Sequence, residues 1–221
     1  ITSLLPAKRQ NLLFSATFSP VVKKLTNRIS KNSIEVDMSS GAMKVREISE
    51  KFYLVNNSNK TEILCHFIKE QAWYQALIFV RTKYGADNLV RRIRRRGLEA
   101  VALHGNKSQA QRRKAIEDFR RNKVHLLVAT DIAARGIDVE GLSHVVNYNL
   151  PTVPEDYVHR VGRTGRAGNK GVAISLVSAE EKKMMADIEK FAGFKATYCE
   201  LPLLPSMDPI IESVEQKVKE K

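Results

Sequence analysis

The chain has 221 residues and a formal net charge of +13, with a sequence pI near 9.8. That length suits one core of ordinary size with added elements, or two small domains, and that charge points to a polyanionic partner, nucleic acid or an acidic membrane surface. No apolar run approaches the roughly 20 residues of a membrane span, and the opening ITSLLPAKRQ has no secretory layout, so the reading is a soluble, cytoplasmic protein.

The first pieces in chain order are sparse. NLLFSATFS reads as a strand, PVVKKLTNRIS as a helix, IEVDM (34–38) as a strand and SSGAMKVR (39–46) as a linker. They are too few to close a core, which makes this segment either an added edge of the main sheet or the tail of a neighbouring domain. Beyond it, amphipathic stretches with helical spacing alternate with short β-branched runs. The helices are NKTEILCHFIKEQ (59–71), KYGADNLVRRIRRRG (83–97), SQAQRRKAIEDFRRN (108–122) and VPEDYVHRV (153–161). Ser108 stands as an N-cap, Gly97 as a C-cap, and Pro154 at a first helical position followed by two acids. The strands are ALIFV (76–80), EAVAL (99–103), VHLLVAT (124–130), SHVVNY (143–148) and GVAISLV (171–177), with the continuous apolarity of strands covered on both faces. The tail SMDPIIESVEQKVKEK reads as a short amphipathic surface helix. This βα alternation predicts an open α/β fold in three layers, a parallel sheet with helices on both faces, whose ligands gather beyond the carboxyl ends of the strands.

Three loops at that edge carry polar chemistry. After VHLLVAT comes DIAARGID (131–138), where Gly136 permits close backbone approach and Asp131 and Asp138 offer carboxylates. After AVAL comes HGNKSQAQRR (104–113), a helix start with Arg112 and Arg113 in its first turns, suited to phosphate. After VVNY comes a longer stretch ending in HRVGRTGRAG (159–168), dense in arginine and glycine.

Simpler readings compete. The arginines of RRIRRRG (91–97) read as a solvated face, and His66, His104, His125 and His144 taken singly as packing or surface residues. Cys65 and Cys199 lie far apart with no CxxC or Cys/His cluster, so neither suggests a metal and both read as packing residues. Gly162, Gly165, Gly168 and Gly171 recur every third residue without forming GxGxxG, which reads as a flexible turn. A phosphate-cradling GxxxxGK[ST] loop fails as well: Gly136 and Gly141 have the spacing, but Leu142 stands where the lysine must be. The residues alone therefore describe an anion-binding α/β domain with arginine donors and no metal-and-phosphate cradle, in effect half of an active site.

SAT (15–17), LIFVRTK (77–83), HGNKSQAQR (104–112), VATDIAARGID (128–138), NYNLP (147–151) and HRVGRTGR (159–166) together resemble the ordered motifs of DEAD-box ATP-dependent RNA helicases of bacterial type. The likeness covers nearly the whole chain. It implies a RecA-like fold and four segments: the last strand-helix-strand of a first RecA-like domain (1–38), an interdomain linker (39–46), the second, C-terminal RecA-like domain (47–205) and a tail (206–221). It implies ATP with Mg2+ as cofactor, the cradle and metal ligands lying in the first domain. Arg163 and Arg166 would reach the γ-phosphate across the interdomain cleft, and Gly136 and Asp138 would meet the ribose and phosphate side. Arg81, Thr82, His104, Gly105, Gln109, Arg112, Thr130 and Asp131 would line a track for single-stranded RNA held by its backbone. Ser15, Thr17, His159 and Arg160 would couple the two domains and the RNA side. Asn149 stands where many members carry Asp, and is expected to cap the turn before Pro151. The implied partners are single-stranded or locally duplex RNA and the first domain, with no membrane. Two rival classes remain: half of a DNA helicase or translocase built on the same core, and a non-catalytic RNA-binding module.

Overall fold

The β-branched runs assemble into one parallel sheet in this computed structural model, which describes residues 6, 8–15, 20–30, 33–36, 48–135, 137, 142–165 and 170–202. In chain order the strands are β1 (Ile48–Leu54), β2 (Ala76–Phe79), β3 (Ala100–Leu103), β4 (Leu126–Ala129), β5 (His144–Asn147) and β6 (Gly171–Val177). They lie side by side as β1-β6-β5-β2-β4-β3, and every neighbouring pair is parallel. The helices are α1 (Pro20–Ile29), α2 (Lys60–Glu70), α3 (Lys83–Arg94), α4 (Gln109–Arg120), α5 (Asp131–Ala134), α6 (Pro154–Val161) and α7 (Lys182–Ala192).

The period of two along each central strand builds two cores at once. Ile78, Val128 and Val146 face one side and pack with Ile63 and Leu64 of α2 and Leu89 and Ile93 of α3. Leu77, Phe79, Leu127 and Val145 face the other and pack with Phe119 of α4 and Ala133 of α5. A third cluster joins Phe52, Tyr157, Val161 and Ile188 where α6 and α7 cover β1 and β6. Each fully buried leucine or isoleucine contributes roughly 1.5–3 kcal/mol, which is why helices as arginine-rich as α3 and α4 hold to the sheet.

Local signals set the helix starts. Ser108 Oγ accepts from the Gln111 N–H at 3.2 Å while the Gln111 side chain accepts from the Ser108 N–H at 3.0 Å, a reciprocal capping box. Thr82 Oγ1 accepts from the Gly85 N–H at 2.9 Å at the head of α3. Between β2 and β5 the order of strands reverses, because the chain winds outward from β2 to β3 and then returns across the sheet to β5. That switch point opens a crevice at the carboxyl edge.

Several expectations are corrected. Residues 11–15 and 34–36, read as strand, have no strand among the described residues. A strand needs a hydrogen-bonding neighbour, and no such pairing is made by these segments among the described residues. The helix in PVVKKLTNRIS is present as α1, tied to the preceding segment by Asn11 Nδ2 donating to Ile29 O at 3.0 Å. The chain divides into two units, Ile1–Lys44 and Val45–Lys221. In the first, Leu12, Phe14, Ile34 and Val36 are all exposed. Edge strand β1, not foreseen, pairs with β6 over its whole length, Ile48 opposite Gly171 through Leu54 opposite Val177. Cys65 is a buried packing residue, its thiol pKa raised by burial, but Cys199 is exposed. The linker (39–46) and the tail (206–221) lie outside the described residues.

Candidate functional site

Strands β2, β4 and β3 are neighbours, so the loops that leave them form one continuous rim at the carboxyl edge. Arg81 and Thr82 follow β2; His104, Gly105, Gln109 and Arg112 follow β3; Thr130 and Asp131 follow β4. The expected track residues are thus collected on three adjacent loops. They differ in what they present. Arg81, Thr82, Gly105 and Gln109 are exposed, and Arg112 is partly buried with its Nε lacking an acceptor. His104 is only 2% exposed. Its Nε2 meets Asp87 Oδ2 at 3.0 Å and its Nδ1 accepts from the Asn106 N–H at 3.3 Å, which fixes the proton on Nε2. Asp87 also takes Lys107 Nζ at 2.9 Å. Partial burial raises the Asp87 pKa, but the bonds from Lys107 and His104 outweigh that and hold it below the usual carboxylate range. The His104 ring therefore shapes its loop from within.

Asp131 is likewise engaged inside the chain. Arg160 donates to it twice, Nε to Oδ1 at 2.6 Å and Nη2 to Oδ2 at 2.8 Å, a bidentate pair. Arg160 Nη1 donates to Asn147 Oδ1 at 3.0 Å and to Asn149 O at 2.7 Å. The guanidinium lies over the Phe79 ring, 4.9 Å from its centre. All three nitrogens are satisfied, and Arg160 is 2% exposed. The residue expected to link two domains is the bolt that joins α5, α6 and the end of β5. Asn149 differs from expectation in the same place: its side chain accepts from the Arg81 N–H at 3.3 Å, tying the loops after β2 and β5 together rather than capping the turn before Pro151.

Helix α6 carries the arginine motif down from this rim. Tyr157 donates its hydroxyl to Glu50 of β1, and burial, with the Glu50 charge, pushes its pKa upward. His159 lies 3.8 Å from Asp156 Oδ1, which also accepts from Arg135 Nη2 at 3.0 Å. Arg163 Nη1 donates to Ile137 O at 3.1 Å, and Thr164, 0% exposed, donates to Leu142 O just before β5. Asp131, Arg135, Asp156, His159, Arg160 and Arg163 line one small pocket together with the apolar Phe79 and Ala134. The glycines here are more than a flexible turn. Gly165 takes φ +65°, and a Cβ on Gly171 would stand under 3.0 Å from Thr164 Oγ1 and from the Gly165 nitrogen. Ser15 lies exposed in the first unit. Thr17, Gly136, Asp138 and Arg166 lie outside the described residues.

Three partners escaped the sequence reading: the buried Glu181 and Lys60 and the partly exposed Asp87. Glu181 alone left a signal, since S-x-x-E at 178–181 is a capping box, and Ser178 and Glu181 do form one. Lys60 and Asp87 sit on amphipathic helices with nothing local to mark them as partners in ion pairs.

An all-parallel sheet with this strand order and a polar rim at its carboxyl edge defines a RecA-like α/β domain. The helicase conserved C-terminal domain family matches residues 59–168. Over 220 residues the chain is 37% identical to the DEAD-box ATP-dependent RNA helicase RhpA of Helicobacter pylori, covering 100% of this chain and 45% of that protein. Over 216 residues it is 38% identical to the DEAD-box ATP-dependent RNA helicase CshA of Bacillus licheniformis, covering 98% of this chain and 44% of that protein. The structure of S. cerevisiae Dbp5 bound to RNA and ADP BeF3 aligns with a TM-score of 0.81 at 32% identity, covering 99% of this chain and 56% of that one. The C-terminal domain of the DEAD-box protein Dbp5 aligns at 0.64 with 34% identity, covering 80% of this chain and 100% of that one. The chain belongs to the DEAD-box RNA helicase family and contains its helicase C-terminal domain. It spans about half the length of the curated relatives it matches.

Proposed function

We propose that this chain is the second RecA-like half of an ATP-dependent RNA helicase, which clamps single-stranded RNA by its backbone and supplies Arg163 and Arg166 to the γ-phosphate of ATP, so that closure of two domains drives local duplex opening. The observation that carries the reading is the placement of Arg163, held through Nη1 to Ile137 O in the pocket it shares with Arg160 and Asp131. Charge spread over phosphoryl oxygens is what a guanidinium stabilises without proton transfer. The rim of Arg81, Thr82, Gln109 and Arg112 beside it suits phosphate and sugar contacts, which bind without reading bases. The likeness to a Dbp5 structure with RNA and ADP BeF3 supports both roles.

ATP with Mg2+ is the implied cofactor. The donor chemistry on this chain fits a phosphoryl group: Arg163 and Arg166 would hold the γ-phosphate, and Gly136 and Asp138 the ribose side. Among the described residues no group of three or more His, Cys, Asp or Glu could hold a metal, and on this reading the phosphate cradle and metal ligands belong to the first domain. The exposed apolar residues Leu12, Phe14, Ile34 and Val36 suit a segment (1–38) that packs into that domain, with 39–46 as the linker. Ser15, Thr17, His159 and Arg160 would couple the halves, in a cytoplasmic setting.

The test is ATP turnover by the complete protein with single-stranded RNA and with DNA of the same sequence. RNA alone should stimulate it. Equal stimulation by DNA would favour a DNA translocase, and turnover indifferent to both would leave a binding module.

A further inference from the structure

Glu181 is a buried carboxylate that holds two cations at once. It is 4% exposed, at the end of the 3₁₀ turn Ala179–Glu181 that leads into α7. Its Oε2 accepts from Lys60 Nζ at 2.5 Å and from the Ser178 N–H at 3.2 Å. Its Oε1 accepts from Arg81 Nη2 at 3.0 Å and from the Leu150 N–H at 3.0 Å. Lys60 is 0% exposed and donates a second bond to Tyr148 O at 3.0 Å. An isolated ammonium or carboxylate at this depth would be strongly destabilising, but the two together are neutral and fully bonded. The buried pair is therefore neutral without Arg81, whose Nη2 adds one further bond to Glu181 Oε1.

Arg81 adds a positive charge that the buried pair does not need. Its side chain is 40% exposed. Nη2 points inward, to Glu181 Oε1 and also to Leu150 O and Met184 Sδ, each at 3.5 Å. Nε and Nη1 have no protein acceptor among the described residues. Burial lowers the Lys60 pKa, Glu181 opposes this, and the nearby Arg81 charge lowers it further. Lys60, Arg81 and Glu181 bring two cations to one buried carboxylate, with the Glu180 charge also acting on Lys60, and the exposed side of Arg81 is open to a further anion.

We propose that Glu181 is a positioning residue that holds Arg81 by one nitrogen so that its remaining donors seat an RNA phosphate at the loop after β2. This rests on the RNA role proposed above for the rim. A tethered guanidinium has already lost the rotamer freedom that a loose arginine gives up on binding. Its planar fork lets one end serve Glu181 and the other the phosphate, whereas lysine offers a single point charge for both. The Lys60 contact carries the constraint back to α2, so three elements of the fold fix one contact.

The experiment measures binding of fluorescent single-stranded RNA across a salt series, with thermal unfolding in parallel, in the complete protein. Arg81→Ala should weaken RNA about tenfold, flatten the slope of log affinity against log salt by about 0.7, and leave the unfolding midpoint within about 2 °C. Glu181→Gln alone leaves Lys60 uncompensated and is expected to destabilise, so the deciding variant is Lys60→Met with Glu181→Gln, which removes both buried charges. It should unfold near the parent temperature yet bind RNA severalfold more weakly, and adding Arg81→Ala to it should weaken binding less than in the parent background. Parent-like RNA affinity in the Lys60→Met, Glu181→Gln protein, beside a weakened Arg81→Ala, would show that Arg81 works untethered and overturn the proposal. Unchanged affinity in Arg81→Ala would overturn it as well, whereas a parent protein that binds no RNA would overturn the RNA reading itself and this proposal with it.

Discussion

Arg160 grips both carboxylate oxygens of Asp131, Nε at 2.6 Å and Nη2 at 2.8 Å, from a position that is only 2% exposed. The two residues come from different motifs, TDIAARGID and HRVGRTGR, 29 positions apart. The bond fixes the distance between the start of α5, on the rim, and α6, which leads into the turn that carries Arg163. A shift in one is transmitted to the other through a rigid pair of hydrogen bonds.

Removing Asp131 leaves the buried Arg160 guanidinium without its carboxylate, whereas removing Arg160 leaves Asp131, 26% exposed, without its cation. Arg160→Ala also strands Asn147 Oδ1 and Asn149 O. It should lower stability by about 1–3 kcal/mol, read as a fall in the urea midpoint. Arg160→Lys should recover less than half of that, because one ammonium cannot span two carboxylate oxygens and two carbonyl groups. An Arg160→Ala protein with the parent's urea midpoint but reduced turnover would mean that Arg160 acts across domains.

Gly171→Ala tests the seat of the arginine turn. The added methyl would stand under 3.0 Å from Thr164 Oγ1 and from the Gly165 backbone, and neither can yield freely, since Thr164 is buried and bonded to Leu142 O. Overpacking of this kind typically costs about 1–3 kcal/mol. The expected result is a lower thermal midpoint together with a loss of ATP turnover larger than the stability change explains, because Arg163 rides on the displaced turn. Loss of stability with full turnover would separate the two.

Much of this was readable from residue order. Five strands stood out because they are apolar without interruption, the mark of burial on both faces. Strand β1 did not, since Ser49, Glu50 and Lys51 stand in its first half and only Phe52 and Tyr53 are buried; an edge strand needs one partner and can keep polar residues. In the segment before it, the pattern reads as strand, but residues 11–15 and 34–36 pair with nothing among the described residues and so form none. At the rim, motif order located the loops but not the roles within them. Whether His104 or Asp131 faces outward depends on Asp87 and Arg160, 17 and 29 positions away, and no local pattern carries such pairings.

His144 gives a stability change with a definite direction in pH. Its ring stacks on Trp73 with centroids 4.4 Å apart and planes 14° apart, and burial, with a smaller push from Lys51, lowers its pKa from 6.5 to about 4. As pH falls the unfolded chain takes up the proton first, so the stabilisation is complete above 6.5, declines between 6.5 and about 4, and is level below. His144→Phe keeps a stacking ring and removes the proton site. Urea midpoints at pH 7 and pH 4.5 should fall further for the parent than for His144→Phe. Equal falls would mean that other groups carry the whole dependence.

Arg163 and Arg166 bear on catalysis most directly. Arg163 is partly exposed, and its Nη1 donates to the Ile137 backbone carbonyl. In the complete protein, either Arg163→Ala or Arg166→Ala should reduce ATP turnover by roughly 10³-fold or more, in line with arginine fingers elsewhere. Nucleotide affinity should fall far less, because the interaction strengthens only as charge spreads over the transferred group. Lysine at either position should restore turnover in part at most, a point charge being unable to reproduce the planar fork. Single-turnover rates and equilibrium ATP binding, measured on the same variants, separate the two quantities. If affinity dropped as steeply as turnover, the arginines would be ground-state binders, and their place in the transition state would be refuted.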